Sequence, residues 1–91
     1  MDKEQLERDK RRAEKAAARV KAYQKVFGTP HGKKVLGDLM RVHGVMTSHP
    51  ADSQAMALKE GERLVVLRIL QIIQTNPAKF LERIADAESA E

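Results

Sequence analysis

His31, His43 and His49 are the only imidazoles in the chain, and no cysteine is present. Zinc sites join their ligands at short, paired spacings. These three lie twelve and six residues apart, so no metal or other cofactor is expected. His31 reads as a residue of a helix N-terminus and His49 as part of a turn. No serine stands beside a histidine in a nucleophile context, and the carboxylates lie on charged helix faces where solvation is the default. The string Gly28 to Lys34 superficially resembles a phosphate loop. A Walker A loop needs four residues between its glycines, a Lys-Ser or Lys-Thr ending and a preceding strand. This string has three residues between Gly28 and Gly32, ends in Lys33-Lys34 and follows a helical segment. No catalytic residue is expected, and the chain reads as a non-enzyme.

The remaining chemistry is charge. Residues 1–34 hold eleven Lys or Arg against five Asp or Glu, while residues 35–91 hold six against eight. A polyanion would therefore meet the front of the chain. Arg8, Arg11, Arg12, Lys15, Arg19, Lys33 and Lys34 are the candidate contacts for a polyanion or a protein partner. Neutralising phosphates gives salt-sensitive affinity without sequence preference. Five acids interleave with these bases, and the chain has three aromatic residues in all. Stacking on single strands is accordingly not expected. A solvated charged helix is the leading reading of this run, contact with DNA or RNA the second, and docking into a protein groove the third.

The elements that carry these residues are helical. Residues 2–27 lack glycine and proline and are rich in Glu, Lys, Arg and Ala, all strong helix formers. Leu6, Ala13, Val20 and Phe27 recur every seven residues, which makes a thin apolar seam. Residues 1–21 therefore read as a charged helical arm and residues 22–91 as a compact helical domain. At Val26–Leu39 one helix stops and another starts. Gly28 suits a C′ position with positive φ, Thr29 can cap the next helix, and Pro30 fits its first turn.

The second helix is expected over residues 30–47, with Val35, Leu36, Leu39, Met40, Val42, Val45 and Met46 on a broad apolar face. Thr47-Ser48-His49-Pro50 breaks it. A third helix, capped by Asp52 or Ser53, runs to about Thr75. Its segment Leu64–Ile73 is apolar nearly all round, as expected of a central helix contacted on several sides. Asn76-Pro77 starts a short last helix with Phe80, Leu81 and Ile84 inward, fraying from Asp86. The fold class is all-α, with about four helices and a long charged first helix projecting from the core. The longest apolar run is about half of the roughly 20 residues a membrane span requires, so no membrane span is expected.

Glu60-Gly61-Glu62-Arg63 places a glycine inside a helix, at a cost of roughly 1 kcal/mol relative to alanine. With Gly37 and Gly44 seven apart on the preceding helix, it suggests close approach of two helix backbones. Glu60 and Arg63 can pair with each other. A sharper expectation ties Arg63 to Asp38 and aims Glu60 at the free N–H groups that open the second helix.

Phe27-x-Thr29-x-x-Gly32-x-x-Val35-Leu36-x-Asp38-Leu39, followed by Glu60-Gly61-x-Arg63 and the apolar run to Ile73, resembles a family of small tailed-bacteriophage proteins. The family is named from a Bordetella podophage protein and is encoded among head and tail morphogenesis genes. The resemblance covers roughly residues 22–76. It implies a non-enzymatic virion structural or assembly protein, made in the host cytoplasm, present in many copies of a symmetric assembly and docked on other phage structural proteins. The portal and head–tail connector, the internal ejection proteins and the capsid are the stations it allows; separately, the charge of the basic arm would favour non-specific contact with packaged DNA. Phe27, Gly28, Thr29, Gly32, Leu36, Asp38, Gly61 and Arg63 form a packing signature. The alternatives are a nucleic-acid-binding packaging factor of the small terminase type and a small inhibitor of a host factor.

Overall fold

The computed structural model describes residues 2–44 and 53–89, in which four helices and no strand occur. They are α1 (Lys3–Phe27), α2 (Pro30–Val42), α3 (Ser53–Ile73) and α4 (Ala78–Ser89). Val45 to Asp52, with the break expected at 47–50 and one of the two expected caps of α3, lie outside the described residues. The all-α fold and the long charged first helix are as the composition dictates.

Two compact units make up the chain. One joins Met1–Ala22 with Thr75–Glu91, and the other is Tyr23–Gln74. In the first, Asp2 opens α1 by accepting the Glu4 N–H at 3.2 Å on its side chain and the Leu6 N–H at 2.9 Å on its carbonyl. Ala13, Ala17 and Val20 are buried, so the heptad seam is covered from Ala13 onward. Asn76 caps α4 as expected, its Oδ1 accepting the Ala78 N–H at 3.1 Å. Phe80 and Ile84 are half-buried, but Leu81 is exposed. The helix also continues through Asp86 to Ser89 instead of fraying.

The second unit holds the last turn of α1, α2 and α3. Here α2 is shorter than its apolar pattern suggests, ending at Val42 with His43 as its C-cap. Gly44 takes φ 94°, the left-handed conformation in which a helix commonly terminates and which glycine adopts without a Cβ clash. Gly44 thus marks the stop of α2. The all-round burial expected of Leu64–Ile73 is also absent. Val66 is 2 % exposed, whereas Val65 is 62 % and Leu58 73 % exposed, and Leu64, Val35 and Val42 are exposed with them. An all-apolar sequence shows that a helix surface seeks cover; it does not show that the same chain supplies it.

Candidate interaction surfaces

The corner between α1 and α2 is built from backbone. Thr29 sits at φ −76°, ψ 157°, the extended conformation of an N-cap, and its Oγ1 accepts the Gly32 N–H at 2.9 Å. The same hydroxyl donates to the Val26 carbonyl at 2.9 Å. One side chain therefore serves an orphan donor of α2 and a terminal acceptor of α1. The cap was legible in the sequence; the second bond was not, because it depends on how tightly the chain reverses.

Gly32 explains that tightness. A Cβ built on it would overlap the Val26 carbonyl oxygen and lie 2.8 Å from the Val26 carbonyl carbon and 2.9 Å from Phe27 Cα. These are backbone atoms and cannot turn aside. Gly28 acts differently from expectation, since it has no positive φ. Thr29 supplies the reversal by going extended immediately after it. A side chain at Gly28 is still disfavoured, because a Cβ would stand 2.5 Å from the Gln24 carbonyl oxygen that accepts the Gly28 N–H. Leu36 is buried one turn further on. Gln24 donates from Nε2 to the Ile73 carbonyl at 3.1 Å, tying the end of α1 to the end of α3. Phe27, Gly28 and Lys33 line a cleft of about 290 Å³ there.

The other half of the signature is open. A Cβ at Gly61 would meet nothing within 4 Å, and the same holds for Gly37. No close helix approach rests on either. Arg63 pairs with Glu60 at 2.9 Å and Asp38 with Arg41 at 2.7 Å. The expected Arg63–Asp38 tie is replaced by these local pairs, three residues apart on one helix, where reach is assured without any tertiary contact.

What does join α2 to α3 is a cluster that sequence reasoning missed. Lys59 Nζ lies 3.4 Å from the Val42 carbonyl and 3.3 Å from Glu62 Oε2, and His43 Nδ1 lies 3.5 Å from the same oxygen. A cation at the carbonyl end of α2 is favoured by the unpaired acceptors there. Lys59 holds the Glu62 carboxyl below its ordinary range, partial desolvation opposes it, and His43 adds to the lowering. The Lys59–Glu62 spacing was visible in the sequence; His43 enters only because α2 stops at Val42. Beside this cluster Leu39, Val65, Val66 and Ile69 line an apolar cleft of about 230 Å³ whose rim carries His43 and Glu62.

Arg8, Arg11, Arg12, Lys15 and Arg19 are all exposed on α1, and Lys33 and Lys34 on the first turn of α2. His31 is exposed beside them, in the helix N-terminus where it was expected. Among the described residues no group of three or more His, Asp or Glu could hold a metal ion, and no helix is long and apolar enough to cross a membrane.

A family model described as Bbp19-like phage protein matches residues 23–85. The match takes in the corner, α2, α3 and most of α4, and leaves out Arg8, Arg11, Arg12, Lys15 and Arg19 of α1. No curated protein and no solved structure matches the chain.

Proposed function

We propose, from the premise that this chain belongs to the Bbp19-like phage protein family, that it is a non-enzymatic structural or assembly protein of a tailed-phage particle. In this reading it is made in the host cytoplasm, enters the virion in many copies, and docks on another phage structural protein at the portal, head–tail connector, ejection complex or capsid. The observation that carries the reading is the uncovered apolar face of α2 and α3. Val65 lines the Leu39–Ile69 cleft, and Val35 and Val42 of α2 and Leu58 of α3 are exposed with it, all inside the family-matched segment. A chain this small leaves such a face open at a cost in stability and solubility, and patches of this kind mark protein-interaction sites. Repetition in a symmetric particle would make a modest contact per copy strong through avidity.

The test is the composition of purified particles. The reading expects the polypeptide in the virion at a fixed multiple copy number, co-purifying with a phage structural protein. It also expects Val65→Asp to keep the free chain's melting temperature and to lose incorporation. Absence from the particle, or normal incorporation of Val65→Asp, overturns it. In the first case capture of DNA would favour a packaging factor, and capture of a host protein an inhibitor.

A further inference from the structure

Four of the five interleaved acids that weaken the case for a polyanion site in the sequence lie off its surface once α1 is wound. At about 100° per residue, Arg8, Arg11, Arg12, Lys15 and Arg19 fall within about 100° of the helix circumference. The buried residues Ala13, Ala17 and Val20 are centred about 150° away from that stripe. Of the five acids before residue 22, only Glu4 falls within it; Asp2, Glu7, Asp9 and Glu14 lie on the flanks or the far side. All five cations are exposed. Among the described residues none of them has an ion-pair or hydrogen-bond partner.

Opposite charges at helical spacing, Glu4–Arg8, Glu7–Arg11, Asp9–Arg12 and Arg11–Glu14, flank the stripe, but along it the cations also meet one another. Arg8–Arg11, Arg8–Arg12, Arg11–Lys15, Arg12–Lys15 and Lys15–Arg19 are like charges three or four residues apart. Such pairs destabilise a helix, where opposite charges at the same spacing support it. A stripe of one sign is relieved when a polyanion covers it.

From this geometry we infer that the α1 stripe is a face for the phosphate backbone of duplex DNA, bound without base specificity. Four of its five cations are arginines, whose planar fork matches phosphate oxygens. From Arg8 to Arg19 the stripe runs about 16 Å, along which a duplex presents a charge every ~1.7 Å of its axis. The apolar residues that border it between Arg8 and Arg19 are alanines, Ala16 and Ala18, so there it lacks the large anchors that a helix uses in a protein groove. No aromatic residue occurs before Tyr23, so it lacks the stacking platforms of a single-strand site. The stripe lies outside the family-matched segment, and the inference stands or falls independently of docking by the α2–α3 face.

The experiment titrates the full chain against a 30-base-pair duplex of arbitrary sequence, and against a single strand of equal length, from 50 to 200 mM salt. Duplex binding is expected to weaken by about 40- to 500-fold over that range, the slope for roughly three to five phosphates. The triple variant Arg8→Gln, Arg12→Gln, Arg19→Gln should lose most of the affinity and of the slope. Lys10→Gln, Lys21→Gln, Lys25→Gln removes the same charge from outside the stripe and should retain both. Circular dichroism confirms that each variant stays helical. No duplex binding at 50 mM salt overturns the inference, as does equal loss in the two triple variants or tighter binding to the single strand than to the duplex.

Discussion

The two halves of the sequence signature behave oppositely. At the corner Gly32 is held against the backbone of Val26 and Phe27, and Thr29 spends its one hydroxyl on both helices. Around Gly61 there is open space, and Glu60 and Arg63 satisfy each other along one helix. A glycine in a helix can thus mark a close approach inside the chain or a surface with nothing yet upon it. The two are indistinguishable by residue type. The corner is a structural requirement of this chain, whereas the α3 segment with Leu58 and Val65 is left exposed.

Substitutions can break that contrast, beginning with the largest effect. Leu36→Ala removes a buried side chain near the corner and should cost about 2–4 kcal/mol, while Leu58→Ala on the exposed face of α3 should stay within about 0.5 kcal/mol. Urea unfolding of the two variants measures both, and equal losses would mean that Leu58 is covered in solution. Gly32→Ala drives a methyl into backbone and should destabilise by about 2–3 kcal/mol. Gly61→Ala meets open space in a helix interior and should stabilise by about 0.5–1 kcal/mol. Opposite shifts in melting temperature are the expected signature, and a loss at Gly61 would restore the close approach.

Thr29→Ala removes the cap and its second bond and should cost about 1 kcal/mol, with Thr29→Ser recovering most of it. Glu60→Gln and Arg63→Met disturb a half-exposed pair and should each change stability by no more than about 0.5 kcal/mol. The smallest effect is a pH dependence at the α2–α3 cluster. Glu62 is lowered in the folded chain, so its contribution is present above the ordinary carboxylate value and is lost as pH falls through the lowered one. Comparing the melting temperature of the wild-type chain and Glu62→Gln at neutral and strongly acidic pH should show the difference shrinking toward acid.

Much of the architecture was legible because it rests on local rules. The absence of glycine and proline before Gly28, the Thr29-Pro30 cap and the Asn76-Pro77 cap all act within a few residues, where sequence distance and spatial distance nearly coincide. The basic candidate set was legible as a composition. Its separation from the acids emerges only when 3.6 residues per turn sorts neighbours in sequence onto different faces. The Lys59–Glu62–His43 cluster and the exposure of Val65 were not legible, because each depends on where α2 ends relative to α3.

By itself the sequence determined four helices, the place of the first corner and a basic front half. The tertiary structure alone decided that Gly32 is the glycine under steric compulsion, that Gly61 is free, and that much of the apolar surface of α2 and α3 is left uncovered. The reason is range. Caps and periodicity are set by bonds within a turn, but burial is set by which distant segment arrives, and the uncovered face shows that no described segment of this chain arrives there.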